Sequence, residues 1–364
     1  MNPLFITALF SFFISAAIMP LFVRLSILLG AISEVGGRHV GEVPIGRLGG
    51  LAVLFGVGGG IAWQIYFNPI GRASLEDHSQ ELFGLMIGLI LVGGVGFWDD
   101  IKRLSAKIKL IVQLLAAVIL CNKGALISVV DLPVVGTLEL SWLSYPVTVI
   151  WIVGVVNAVN LIDGLDGLAG GVILFAAIAN FVAAVGSGSM LSAILMSSVG
   201  GAVFGFLIHN WHPAKIYLGD GGAYSLGLII AVSSLLAPVQ KASTGISLMV
   251  PVLAVGLPIF DTLFTMVRRL LSGRGVFSPD KGHLHHLLLD TGMSQRRVVI
   301  GLYSVCCIFC SIALALVLHK NKHVGIILVV VSFVGAMIWG VKVRRQLMTG
   351  VLKLVRSRLG NGSK

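Results

Sequence analysis

Eleven near-continuous apolar runs, parted by short polar breaks, leave this chain little freedom of fold. They lie roughly over 3–25, 48–68, 82–98, 107–122, 143–158, 167–185, 189–209, 219–238, 246–266, 298–318 and 324–341. Each is close to the roughly 20 residues that a helix needs to cross a bilayer. Backbone groups in hydrocarbon have to pair within their own segment, so every crossing is expected to be helical. With 57% hydrophobic and 11% charged residues, the chain carries too much apolar surface for one soluble core. The expectation is an all-α polytopic membrane protein with about 11 transmembrane helices, its catalytic body a single integral domain over 1–341 and its last segment, 342–364, a basic cytoplasmic tail.

The charges orient this bundle. If the amino terminus lies outside (periplasmic), parity puts 21 of the 26 Lys and Arg residues on the cytoplasmic side, and the carboxyl terminus there too. The opposite face holds Arg72, Lys123, Lys241, Lys320 and Lys322. This is a strong positive-inside bias, and it gives the inner face the whole formal charge of +11. Such a face suits phosphorylated substrates and anionic headgroups. Cys121, Cys306, Cys307 and Cys310 have no zinc-like spacing and read as small apolar residues. Met1 to Phe13 lacks a basic stretch, so the first helix reads as a retained span.

Four polar blocks interrupt this apolar chain, and the same parity places all of them on the basic side. Carboxylates near a membrane interior are costly, which makes each a functional candidate. In the first, Asp99-Asp100 is followed by Lys102, Arg103, Lys107 and Lys109. Adjacent carboxylates beside four cations offer a base or a metal ligand next to a phosphate cradle, or else a solvated helix end. A prenyl-synthase pattern would need an acid at position 103, where Arg103 stands. The second block, Asn157 to Gly167, sets Asn160, Asp163 and Asp166 at three-residue spacing, with Gly164 and Gly167 breaking the helix. Oxygen ligands of this kind suit Mg²⁺, which keeps waters and shares substrate phosphates.

The third block, Gly219-Asp220-Gly221-Gly222, opens a helix whose amides and dipole favour an anion. Upstream, Asn210 to Tyr217 supplies aromatic and amide groups able to hold a base or sugar, or to anchor a helix at the interface. In the fourth, Ser278-Pro-Asp-Lys-Gly-His283-Leu-His285-His286 lies in the one long cytoplasmic connection, with Arg268, Arg269 and Arg274. Imidazole and guanidinium binding to phosphate and sugar is favoured there over zinc, because no Cys accompanies the histidines.

Taken together, the order and spacing of these blocks resemble the polyprenyl-phosphate N-acetylhexosamine-1-phosphate transferase superfamily, and most closely its WecA-type branch. The resemblance rests on Asp99-Asp100-Ile-Lys-Arg-Leu-Ser with Lys109, Asn157-x-x-Asn160-x-x-Asp163-Gly-x-Asp166-Gly, His212-Pro-Ala-Lys-Ile-Tyr217-Leu-Gly-Asp220, and the His283-Leu-His285-His286 loop. It implies transfer of a sugar 1-phosphate, with GlcNAc 1-phosphate preferred over FucNAc or GalNAc 1-phosphate, from a UDP-N-acetylhexosamine to undecaprenyl phosphate, with release of UMP. It further implies Mg²⁺, or Mn²⁺ in its place, held by Asn160 and Asp220. Asp163 and Asp166 would line the nucleotide side, Asn210 and Tyr217 would contact uracil, and Lys109 would contact phosphate. Asp99 and Asp100 are the implied catalytic pair, positioning or deprotonating the lipid phosphate, while His283, His285 and His286 would bind donor sugar or pyrophosphate. The superfamily also implies a homodimer in the bacterial inner membrane, with the site facing the cytoplasm, serving cell-surface polysaccharides such as O antigen. No nucleic acid is expected as a partner.

This chain departs from that branch in two places. Glu34 to His39 lacks the usual Asp-x-Pro and Arg-Lys-x-His pattern, although Arg38, His39, Pro44 and Arg47-Leu48-Gly49-Gly50 keep their order, and Gly221-Gly222-Ala223-Tyr224 replaces Ala/Ser-Gly-Ser. Both bear on which donor sugar is chosen. Two rival classes fit less well. A secondary transporter should place polar groups at mid-bilayer and show repeat symmetry. A CDP-alcohol phosphotransferase, which Asp163-Gly164-Leu165-Asp166-Gly167 also suggests, needs Ala-Arg soon after the first Asp-Gly and further Asp residues downstream, where Leu168-Ala169-Gly170-Gly171 and an apolar helix follow.

Overall fold

The computed structural model describes residues 2–33, 44–132, 136–236, 249–271 and 284–318. Within them the chain forms α1 (Pro3–Leu28), α2 (Gly49–Phe67), α3 (Pro69–Asp77), α4 (Ser79–Lys102), α5 (Ala106–Asn122), α6 (Ser144–Ile162), α7 (Leu168–Ser187), α8 (Met190–Asn210) and α9 (Gly219–Leu236). After these come α10 (Met249–Ala254), α11 (Gly256–Leu271), α12 (Leu284–Leu289) and α13 (Gln295–Leu318). Between α5 and α6 lies an antiparallel hairpin, β1 (Val129–Leu132) and β2 (Gly136–Glu139), whose Val130 packs against the helical core.

Among the described residues, eight helices are long and apolar enough to cross a membrane: α1, α2, α4, α6 with the turn before it, α7, α8, α9 and α13. The expected run 107–122 is helical, but α5 has 17 residues and reaches about 25 Å at about 1.5 Å per residue. The expected run 246–266 is divided into α10 and α11. The run 324–341 and the basic tail 342–364 lie outside the described residues.

Two central helices organise the bundle. α8 and α9 are buried around most of their circumference, as expected of helices apolar on every face. α1 instead turns Phe5, Phe13, Leu21 and Ile27 outward, toward where lipid would lie. Where α1, α2 and α8 cross, small residues let the backbones touch: a Cβ on Gly201 would stand 2.1 Å from the Ala8 carbonyl, and one on Gly56 2.7 Å from that of Ser11. Close contact through small residues is a main source of helix association in lipid. Interhelical polar contacts add to it, with the Gln64 amide donating to Thr7 Oγ1 at 2.6 Å.

The breaks between helices gather at one end of the bundle. α6 stops at Ile162, and the turn through Asp163 to Gly167 is closed by Gly167 at φ +77°. Ser105 caps α5, its hydroxyl accepting the Ile108 amide at 3.4 Å. The starts of α2 and α9 run side by side: Tyr217 N–H donates to the Gly46 carbonyl at 2.7 Å, and Gly49 and Gly50 N–H donate to the carbonyls of Tyr217 and Leu218 at 3.0 and 2.9 Å. A Cβ on Gly50 would fall 2.1 Å from Gly222 Cα, so only glycine fits at this crossing. The junctions α1–α2, α4–α5, α6–α7 and α8–α9 meet at this end.

Candidate functional site

Asp220, in the first turn of α9, is the hub where these junctions meet. Lys109 of α5 holds its Oδ2 at 3.1 Å, and Arg47 Nη2, just ahead of α2, lies 3.4 Å from its Oδ1. Lys109 also bridges to Asp99 Oδ2 at 2.9 Å, and its ammonium sits 6.0 Å from the centre of the Tyr224 ring. The carboxylates of Asp99 and Asp220 come within hydrogen-bonding reach of each other. The other oxygen of Asp99 accepts the Leu104 amide, which shapes the turn from α4 into α5.

Asp100 is engaged differently. Its carboxylate accepts the backbone amides of Asp220 at 3.0 Å and Gly221 at 3.1 Å, and Arg47 Nη2 approaches it at 3.3 Å. The anion-binding amides at the start of α9 are therefore taken by a carboxylate of this chain. The glycines there serve helix approach: a Cβ on Gly219, at φ +77°, would meet the Arg47 carbonyl at 2.0 Å and Asp100 Oδ2 at 2.6 Å.

Asp163, at the end of α6, is half-buried. Burial pushes its carboxyl up to about 7; Arg47 and the Gly219 amide favour the charged form, while Asp220 opposes it. Arg47 stays cationic, since Asp100, Asp220, Asp163 and Asp99 outweigh its loss of solvent and raise its pKa. Asn160 lies in the last turn of α6, where its carbonyl accepts the Asp163 amide at 3.2 Å.

A second group of predicted residues lines the adjacent loop. Asp166 is buried, and its Oδ2 accepts His212 Nδ1 at 2.8 Å and the Ala214 amide at 3.1 Å. Tyr217 is also buried, and burial together with a hydrogen bond to Asp166 raises the pKa of its phenol. The Asn210 carboxamide ties two loops together, accepting the Gly167 amide at 2.9 Å and donating to the Ile216 carbonyl at 2.8 Å. Arg296 of α13 donates to the His212 carbonyl at 3.1 Å, so α13 borders this corner. Of the histidine loop, His283 lies outside the described residues, as do the side chains of His285 and His286 on α12. The backbone of α12 is held by Asp261 of α11, whose Oδ1 accepts the Leu284 amide at 2.7 Å.

The structure thus joins Asp99, Asp100, Lys109 and Asp220 in one network, places Asp163 beside it, and links Asp166, Asn210 and Tyr217 in the neighbouring loop. Three residues carry no role in the sequence reading. Arg47 is the clearest, and its signal is a cation two positions ahead of a Gly-Gly that opens an apolar run on the basic side. Gln113 is buried in α5 and accepts from Asn157 Nδ2 at 2.6 Å, one helical turn from Lys109; a lone Gln in an apolar helix was its signal. Asp261, an acid within the run 246–266, was the third.

The donor set can be tested for a divalent cation. Four carboxylates, those of Asp99, Asp100, Asp163 and Asp220, face two cations, Arg47 and Lys109. Hard oxygen donors, crowded carboxylates and excess negative charge fit Mg²⁺. Among the described residues, no three His, Cys, Asp or Glu side chains form a ready-made ligand cage. Mg²⁺ tolerates that, because it keeps waters and shares substrate phosphates.

Residues 82–237 match the model of glycosyl transferase family 4, a stretch that includes every site residue above except Arg47, the α11–α12 segment and Arg296. The chain is 37% identical over 301 residues to a probable undecaprenyl-phosphate N-acetylglucosaminyl 1-phosphate transferase of Bacillus subtilis, covering 82% of this chain and 81% of that one. It is 36% identical over 296 residues to a decaprenyl-phosphate N-acetylglucosaminephosphotransferase of Mycobacterium tuberculosis, covering 76% and 73%. A phospho-N-acetylmuramoyl-pentapeptide-transferase of Halalkalibacterium halodurans is 30% identical over 333 residues, covering 86% and 97%.

Proposed function

This chain belongs to glycosyl transferase family 4, among the polyprenyl-phosphate N-acetylhexosamine-1-phosphate transferases of the WecA type, and from that membership we propose its reaction. It transfers N-acetylglucosamine 1-phosphate from UDP-N-acetylglucosamine to undecaprenyl phosphate at the cytoplasmic face of a bacterial inner membrane. An oxygen of the lipid phosphate attacks the phosphorus that bears the sugar, the pyrophosphate bond breaks, and UMP leaves. The product is a lipid-linked pyrophosphoryl sugar, a precursor of cell-surface polysaccharide.

The observation that carries this reading is the convergence of Asp99, Asp100, Lys109 and Asp220 at one end of an apolar bundle. A site at the membrane boundary lets a soluble nucleotide sugar meet a lipid whose tail stays in the bilayer. Phosphoryl transfer asks a protein mainly for positioning and charge neutralisation. Asp220, with Asn160, would hold Mg²⁺, and the bound ion would supply charge neutralisation on the donor pyrophosphate. Lys109, tied to Asp99, offers its ammonium to phosphate. Asp100 positions α9 and Arg47. Asp166 orders the loop that faces the nucleotide, braced by Asn210 and Tyr217. The histidines of the α11–α12 connection bind the donor sugar or pyrophosphate.

The test is transfer of label. Membranes containing the protein are incubated with Mg²⁺, undecaprenyl phosphate and a panel of radiolabelled UDP-N-acetylhexosamines. The expected result is label from UDP-GlcNAc in the organic phase, release of UMP, and loss of both in Asp220→Ala. Folded protein that moves no label from any donor overturns the reading and returns the transporter and CDP-alcohol classes to consideration.

A further inference from the structure

Arg47 has no role in the reaction as set out above, yet it occupies the middle of the site. Its Nη2 lies 3.3 Å from Asp100 Oδ1 and 3.4 Å from Asp220 Oδ1, while Lys109 takes the other oxygen of Asp220 at 3.1 Å. Two cations from distant parts of the chain therefore converge on a single oxyanion. A third observation points beyond ion pairing: Arg47 Nε is buried and, among the described residues, has no hydrogen-bond partner. Leaving a buried donor unpaired is costly, and more so when it is charged.

The backbone that presents this side chain is rigidly held. Arg47 N–H donates to the Ala31 carbonyl at 2.9 Å, and Gly46 and Gly49 on either side bond to Tyr217. Gly219 packs so closely on the Arg47 carbonyl that no side chain fits between them. The Arg47 side chain keeps 22% of its surface open to solvent. A planar fork of five donors matches phosphate in a way that the point charge of lysine does not.

Resting on the transferase reading, we propose that Arg47 is a substrate-binding residue that grips the diphosphate of the donor. It exchanges the oxygens of Asp100 and Asp220 for phosphate oxygens, and Nε gains the partner it lacks. The alternative is that Arg47 serves only as a counter-ion that keeps Asp100 and Asp220 together. The two roles differ in whether the binding energy they support depends on phosphate.

Purified protein in detergent with Mg²⁺ is titrated with uridine, UMP and UDP, comparing the natural chain with Arg47→Lys and Arg47→Gln, each checked for folding by its melting temperature. Arg47→Lys keeps the positive charge beside Asp100 and so guards against simple unfolding. The expected result is unchanged affinity for uridine in both variants, and loss of about tenfold or more of the advantage that UDP has over uridine. An intact UDP advantage in both variants overturns the proposal, as does an equal fall for uridine and UDP. Failure of the folded natural chain to bind any of the three brings down the transferase reading itself, and this proposal with it.

Discussion

The carboxylate of Asp100 accepts the backbone amide of Asp220 at 3.0 Å, joining the end of α4 to the start of α9 across 120 positions of sequence. A side chain of one helix thus caps another. Removing such a cap costs about 1 kcal/mol, and hydrogen bonds to charged groups about 1.5–3. Asp100→Ala is expected to lower stability by about 2 kcal/mol, read as a fall of several degrees in melting temperature in detergent. Asp100→Asn, which keeps one acceptor oxygen, should fall less. Equal stability of all three proteins would remove the capping role.

The same engagement bears on mechanism. A covalent aspartyl phosphate needs a carboxylate oxygen free to attack, and both oxygens of Asp100 accept amides. Asp99 is held by the Leu104 amide and Lys109. Incubation with UDP-sugar but no lipid phosphate is expected to release no UMP and leave no label on the protein. A stoichiometric burst of UMP with labelled protein would establish double displacement.

Asp163 sets a pH dependence. Burial pushes its carboxyl up to about 7, so it carries a proton through much of the mildly acidic range. Transfer that needs this carboxylate charged should rise as pH climbs through about 7, and the acid limb should be absent in Asp163→Asn. Stability moves the other way. Between the unfolded value, about 3.9, and about 7 the native state binds the extra proton. The stabilisation is therefore complete below the lower value and is lost as pH rises through the upper one. Melting temperature and initial rate, both followed from pH 5 to 8, check the opposed trends.

Gln113 and Asn157 form the polar clasp between α5 and α6, with Asn157 Nδ2 2.6 Å from Gln113 Oε1. In membranes such interhelical bonds are worth about 0.6 kcal/mol on average, and up to about 1.7. A double-mutant cycle with alanine at both positions should give a coupling of that size. The single variants should also lose transfer, because the clasp lies one turn from Lys109 on α5 and precedes Asn160 on α6. Additive stability effects would show that the two side chains act independently.

The long spans were legible because their apolar character is unbroken, and the four polar blocks because carboxylates and amides stand out against it. What the sequence did not disclose was partnership. The amides of Asp220 and Gly221 could be seen as an anion site, but only the fold showed Asp100 in it. Asn210 reads from sequence as a ligand for a base, whereas its carboxamide holds two loops together. The hairpin of β1 and β2 is too short to leave a periodic signal, and the division of α10 from α11 falls inside one apolar run. Arg47 stands in the sequence pattern without a role because a single cation at the head of a span is what the positive-inside bias already supplies.

Lys109 leaves the ribosome 111 residues before Asp220, its partner in the finished site. At about 5–20 residues per second, that interval is on the order of ten seconds. Throughout it, Arg47, Asp99, Asp100 and Lys109 have been made while the helix that unites them has not. Groups so charged can wait without penalty only in contact with water. Their place at the ends of helices, rather than at mid-bilayer, lets the nascent chain thread its early spans and defer the ion network until α9 arrives to close it.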